Sequence, residues 1–264
     1  MLKKLKTIIS YRGFIYGTVK REFQLRYQGA LLGVLWTVLQ PLMMIFVYTA
    51  IFSQLMRARL PGIDSAFAYS IYICAGILTW SLFTEIITRS STVFIENANL
   101  IKKSNFPKIC LPTITVISAL INFGIVFILF NIYLVITNNF PGIVIIGVIP
   151  VLLMEIVFAM GLGLLLGTLN VFFRDMGQMT TIMLQLWFWS TPIVYPLSVL
   201  PEWAKNIVAY NPMTAMVSSY QAIFVNKQWP VWQSLAPTLI FTLLILAMGL
   251  MLFYKRSPEM VDEL

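Results

Sequence analysis

Apolar residues in this chain run on for stretches of helix-spanning length, separated by short polar breaks. A bilayer core of about 30 Å takes roughly 20 apolar residues of helix. Six runs meet that requirement, at about 29–55, 66–89, 109–137, 143–172, 178–197 and 234–254. The pattern predicts an all-α polytopic membrane protein with six transmembrane helices. The first run has length to spare for tilt, and Pro41 within it predicts a kink. Gly29 and Gly33 in the first run, and Gly163 and Gly167 in the fourth, have the GxxxG spacing that lets helix backbones approach closely.

Other segments do not span. Residues 1–28 carry Lys3, Lys4, Lys6, Arg12, Lys20, Arg21 and Arg26 among Ile8, Tyr11, Ile15, Val19 and Phe23, apolar positions spaced by three or four. That spacing predicts an amphipathic interface helix lying on a membrane surface. A signal peptide would instead place a short apolar core directly after the first charges and end it at small residues. Residues 198–228 are broken by Pro201 and by Asn211-Pro212, each suited to start a short helix because proline fits the first helical turn. Short external re-entrant or gate helices are expected there. The whole of 1–264 reads as one transmembrane domain: the surface helix 1–28, five spans over 29–197, the broken segment 198–228, the last span 234–254, and a polar tail 255–264.

Basic residues near span ends set the orientation. On one side fall those of the first 28 residues with Arg89, Lys102, Lys103, Lys108, Arg174, Lys255 and Arg256; on the other fall Arg57, Arg59, Lys205 and Lys227. Both termini are expected in the cytoplasm, with 198–228 outside.

Composition narrows the chemistry. The chain is 59% hydrophobic and 11% charged, whereas about a quarter of a soluble domain is charged. Its net charge of +8 flanks apolar runs, which points to lipid headgroups and topology rather than nucleic acid. There is no histidine, which removes HExxH metal sites and the Ser-His-Asp triad. No GxxxxGK[ST] loop occurs, so a nucleotide that drives this protein is bound by another chain. Cys74 and Cys110 sit far apart in apolar surroundings, without metal spacing, and read as small packing residues.

Few candidate groups remain. Glu85 and Glu155 are the carboxylates within spans, and an intramembrane acid is a functional candidate by default. Two of them suggest a proton-coupled carrier, although such a carrier should show internal repeats, and the two halves show none. The alternative is that Glu85 pairs with Arg89, four residues on, and that Glu155 hydrogen-bonds a neighbouring helix. Trp187, Phe188, Trp189 and Tyr195 crowd the fifth run, with Phe188 and Tyr195 seven apart and so on nearly one helical face; Trp36, Phe46, Tyr48 and Phe52 add rings to the first. Aromatic faces suit a sliding sugar chain, and equally an interface belt or helix packing. The breaks 92–108 and 172–178 are short and charged, as ordinary loops are and as segments seated in a soluble partner would be.

Three separated stretches carry a resemblance: YRGFIYGTVKREFQLRYQGALLGVLWTVLQPL, then FIENANLIKKSNFPKICLP, then LNVFFRDMGQM with LQLWFWSTPIVYPLSVLPEW and YNPMT. In that order they resemble the ABC-2 type permeases of polysaccharide exporters, which move lipid-linked O-antigen, capsule or teichoic acid out of the bacterial cytoplasm. The resemblance implies a permease of the inner (plasma) membrane that is not itself an enzyme and binds no cofactor. It implies a homodimer joined to two ABC ATPase subunits that hold ATP and Mg. Residues 8–27, with Arg12, Lys20, Arg21 and Arg26, would be the interface helix against the ATPase. Residues 94–103 would form a coupling helix, with Phe94, Glu96, Asn97, Leu100 and Lys102, and Phe173, Arg174 and Asp175 would make the second contact. The first and fifth spans of two copies would flank a central path, making Trp36, Phe46, Trp187, Phe188 and Tyr195 candidates to line it. Pro201, Trp203, Asn211 and Pro212 would belong to helices gating its outer mouth. A small-lipid or drug exporter of the same superfamily is the nearest competing reading; a membrane-embedded glycosyltransferase would want clustered carboxylates or histidine.

Overall fold

The computed structural model describes residues 11–27, 35–51, 67–103 and 106–264, and among these every regular element is helical. In chain order they are α1 (Arg12–Tyr27), α2 (Trp36–Tyr48), α3 (Ala68–Glu96), α4 (Ala98–Lys103), α5 (Cys110–Ile136) and α6 (Val148–Phe172), the last preceded by a 3-10 turn (Gly142–Gly147). Then follow α7 (Met176–Trp189), a second 3-10 turn (Leu197–Val199), α8 (Glu202–Ala209), α9 (Pro212–Phe224), α10 (Trp232–Arg256) and α11 (Met260–Glu263). Among the described residues, four stretches are long and apolar enough to cross a membrane: Ala68–Glu96, Cys110–Ile136, Gly142–Phe172 and Trp232–Arg256. Of the first predicted span, α2 is seen, while Gly29, Gly33 and Phe52 lie outside the described residues, as do Lys3, Lys4, Lys6, Arg57 and Arg59.

The bundle is built on α3. Its 29 residues reach about 44 Å at about 1.5 Å each, well beyond a bilayer core. It packs most extensively on α6 and also on α5, α9 and α7, so Ile73, Phe83 and Ile86 are fully buried. Two threonine hydroxyls on this helix are absorbed locally: Thr79 donates to the Ala75 carbonyl and Thr84 to the Trp80 carbonyl, both at 2.9 Å. The helix continues past the predicted end near 89 because Ser90, Ser91 and Thr92 do not stop it, and Val93 and Phe94 are buried beyond them. Against α3, α6 lays the face that carries Gly163 and Gly167. A Cβ on Gly163 would stand 2.6 Å from the Ser90 Cβ, and one on Gly167 would strike the Ser90 carbonyl oxygen. The GxxxG spacing is therefore used for a close crossing.

The fifth predicted span differs from its expectation. Helix α7 stops at Trp189 and residues 190–196 continue as a turn and bends. Pro192 and Pro196 account for this, because proline lacks the amide hydrogen a helix needs and pushes the residue before it out of helical geometry. Phe188 and Tyr195 accordingly do not share a helical face. Irregular backbone beside a membrane needs partners within the protein, and neighbouring helices supply them. The Tyr69 hydroxyl donates to the Val194 carbonyl at 2.8 Å, and that of Tyr72 to the carbonyls of Pro192 and Tyr195 at 3.1 and 3.0 Å. Gln221 Nε2 reaches the Pro192 carbonyl at 3.0 Å.

After the break, Pro201 directly precedes α8, and Asn211 caps α9 by accepting the Met213 amide at 3.0 Å, with Pro212 in the first turn. The two short helices have opposite surroundings. Helix α8 exposes Trp203 and Ile207, and Tyr210 just after it, whereas α9 buries Met213, Met216, Val217 and Tyr220 completely against α3, α6 and α10. Outward faces of α5 and α10 carry Ile128, Ile132, Leu243 and Met251, as helices facing hydrocarbon do.

Candidate functional site

One end of the bundle gathers α1, the end of α3, α4, the start of α5, the α6–α7 turn and α11. Helix α1 is seated there by Ile15 and Val19, which are buried against Cys110 and Ile114 of α5 with Tyr11 and Phe23 beside them. Arg12, Lys20 and Arg21 are exposed on its other side; the Arg26 side chain lies outside the described residues. The polar contact that fixes α1 comes from Glu22. Its carboxylate pairs with Arg89 of α3 and accepts the Ser118 hydroxyl of α5 at 2.8 Å. Arg89 also pairs with Glu85 at 3.3 Å, and Glu85 accepts Asn122 Nδ2 at 2.6 Å. Three helices are thus tied together through Arg89 and its two carboxylate partners. The Glu85–Arg89 pair is the one the spacing predicts; Glu22, Ser118 and Asn122 carry no local signal in the sequence, because their partners come from other helices.

The residues of 94–103 divide at Asn97. Phe94 belongs to α3, is buried, and stacks on Phe253 of α10 with ring centroids 5.6 Å apart. The chain breaks at Asn97, whose side chain donates to the Val93 carbonyl at 2.8 Å. In α4, Ile101 is buried while Lys102 is exposed, Leu100 is half-buried, and Glu96 before the break is exposed. Phe173, Arg174 and Asp175 are all exposed on the turn between α6 and α7. Asn170, which sequence reasoning passed over, holds this turn to α3: its Nδ2 donates to the Ser91 carbonyl at 2.8 Å and its Oδ1 accepts the Gly177 amide at 3.0 Å. Nearby, burial pushes the Lys108 ammonium below its ordinary value, with Asp262 acting against that shift.

Of the aromatic candidates, Phe188 and Trp189 line an open groove between α3 and α7, together with Trp80, Thr84, Thr181 and Gln185. Trp80 packs edge-on against Phe188 at 5.7 Å. Trp187 points the other way, into the core, with Phe83 at 5.3 Å, Phe158 at 6.1 Å and its indole N–H on Asn211 Oδ1 at 2.8 Å. Tyr195 bonds the Trp189 carbonyl at 2.8 Å. Trp36 and Phe46 are exposed on α2, which packs on α5 and α3, whereas α7 packs on α3 and α6. Glu155 is fully buried in α6 and faces the Tyr220 hydroxyl of α9 without closing a hydrogen bond.

Long apolar helices packed around a large apolar core define a multi-pass helical membrane protein. The chain belongs to the ABC-2 type transporter family, whose profile matches residues 15–225. It is 29% identical over 266 residues to "O-antigen export system permease protein RfbA" of Myxococcus xanthus, covering 100% of both chains. To the protein of the same name from Klebsiella pneumoniae it is 30% identical over 246 residues, 92% of each chain. It is also similar, at 22% identity over 250 residues, to "Polysialic acid transport protein KpsM" of Escherichia coli, covering 92% of this chain and 93% of that one.

Proposed function

We propose that this chain is the membrane-spanning permease subunit of an ATP-driven exporter of lipid-linked polysaccharide, with O-antigen the first candidate cargo. The observation that carries this is likeness along the full chain to O-antigen export permeases. In this reading α2 and α7, each with the apolar residues that flank it, are the first and fifth of six spans in the inner membrane. Both termini are cytoplasmic, and α8 and α9 lie toward the outer mouth, where Pro201, Trp203, Asn211 and Pro212 help to gate it. Two copies pair so that α2 and α7 flank a common path, with Trp36, Phe46, Phe188 and Tyr195 along it and Trp187 behind it. Two ATPase subunits bind ATP and Mg, and the permease holds no cofactor of its own.

Closure of the ATPase pair would act on Glu96, Asn97, Leu100 and Lys102, with Phe94 behind them, on Phe173, Arg174 and Asp175, and on the basic face of α1. A coupled element shifts only as far as its ligand binds its two states differently, so these contacts must change between the two states. Deleting the gene tests the function. Loss of surface polysaccharide with accumulation of the lipid-linked polymer inside the cell is the expected result. Unchanged surface polysaccharide would sink the proposal and favour an exporter of small lipids or drugs. A proton-coupled carrier has less support, because Glu85 is held by Arg89 and Asn122.

A further inference from the structure

After α10 the chain folds back onto the bundle. Met260 of α11 is fully buried in the apolar cluster that contains Phe94, Ile101 and Val171, with Val261 and Leu264 packed at its edge. Those three neighbours come from the end of α3, from α4 and from the end of α6. Helix α11 touches both α4 and α6. The return is held by polar contacts as well. Lys108 Nζ donates to the Ser257 carbonyl, Arg256 pairs with Glu259 at 2.5 Å, and the Arg256 guanidinium lies 5.8 Å from the centre of the Phe172 ring. Glu259, Asp262 and Glu263 remain exposed beside exposed Lys102 and Lys103 of α4.

The two segments taken above to receive the ATPase's motion, 94–103 and 172–175, are remote in sequence. The tail stands between them in space, and its apolar side chain is shared with the residues beneath both. We propose that the segment 257–264 is the brace of the coupling platform: it locks α4 and the α6–α7 turn into one body, so that displacement at either is delivered to α3 and α6 together. Met260 is a positioning residue here, acting through Phe94, Ile101 and Val171. The inference rests on the permease reading given above.

The test uses the full permease with its ATPase and compares Met260→Asp, Met260→Leu, Lys108→Met and the double variant Arg174→Ala/Asp175→Ala. Three quantities are read: permease abundance in the membrane, ATP hydrolysis by the purified complex, and surface polysaccharide. Met260→Asp is expected to lower export per ATP hydrolysed on the order of tenfold, with Met260→Leu near wild type. A brace that served folding alone would lower abundance and leave the ratio of export to hydrolysis unchanged, which overturns the proposal. Should Met260→Asp fail to accumulate, Lys108→Met decides, since it releases the tie to Ser257 without placing a charge in the cluster; an unchanged ratio there overturns the brace. Normal export in the tail variants with loss in the Arg174/Asp175 variant would sink the brace and leave the permease reading standing. Normal export in all of them would remove the coupling assignment as well.

Discussion

Arg89 on α3 and Glu22 on α1 form an ion pair that joins α1 to the helix on which the bundle is built, across 67 positions of sequence. Both side chains are about one-third exposed, so the pair is neither a screened surface contact nor a fully buried one. Removing the guanidinium leaves Glu22 and Glu85 together with no cation between them. Arg89→Ala is therefore expected to cost on the order of 1 kcal/mol and to release α1, read as a lower Tm and faster proteolysis within 12–27. Exchanging the two charges, Glu22→Arg with Arg89→Glu, should restore little, because the new carboxylate would sit one turn from Glu85. Full recovery in the exchange would show that Glu85 takes no part in the joint.

Ser90 meets both glycines of the α3–α6 crossing, but through different atoms. A Cβ at Gly163 meets the Ser90 side chain, and one at Gly167 meets its carbonyl oxygen. Each alanine substitution should destabilise by about 1–3 kcal/mol through overpacking, measured by thermal unfolding in detergent. Adding Ser90→Gly should rescue Gly163→Ala and leave Gly167→Ala unrescued, since trimming a side chain does not move a carbonyl. Rescue of both would mean the crossing is looser than the structure has it.

The spans at 66–89, 109–137, 143–172 and 234–254 are legible in the sequence because length and apolar character alone define them. So is the Glu85–Arg89 pair, which needs only helical spacing. The stop at Trp189 is not, since an apolar run containing Pro192 reads alike as a kinked helix or a turn. What stabilises the turn is Tyr72, 120 positions from Pro192. For the same reason Glu22 reads as one residue of a polar face until Arg89 arrives from another helix. Phe94 and Trp187 show a further limit: an aromatic residue at a membrane end has no sequence mark that says whether it faces a partner or the core, and both turn inward.

Asn211 does four things at once: it caps α9, accepts the Trp187 indole N–H at 2.8 Å, and donates to Thr191 Oγ1 at 2.9 Å and to the Ser190 carbonyl at 3.3 Å. Loss of a cap costs about 1 kcal/mol, and an orphaned indole N–H adds about 1–3. Asn211→Ala should thus lower stability by roughly 2–4 kcal/mol, with a change in tryptophan emission. Asn211→Asp keeps both accepting roles and loses the donor, so it should fall between alanine and wild type. An aspartate as damaging as alanine would assign the weight to the donor contacts with Thr191 and Ser190 instead.

Trp187 and Phe188 are neighbours with opposite duties, which separates structure from transport in one experiment. Trp187 packs edge-on against the stacked rings of Phe83 and Phe158, and its loss to alanine should cost about 3 kcal/mol, with export falling only as the protein itself is lost. Phe188 is half-exposed in the groove with Trp80, so Phe188→Ala should leave Tm within a few degrees of wild type while slowing polysaccharide export. Phe188→Leu tells what the ring supplies, because leucine keeps much of the bulk and removes the aromatic face on which a sugar stacks. Export lowered by leucine as by alanine would assign the groove to the glycan path. Export normal in both variants would make Phe188 a packing residue and move the path away from the groove between α3 and α7.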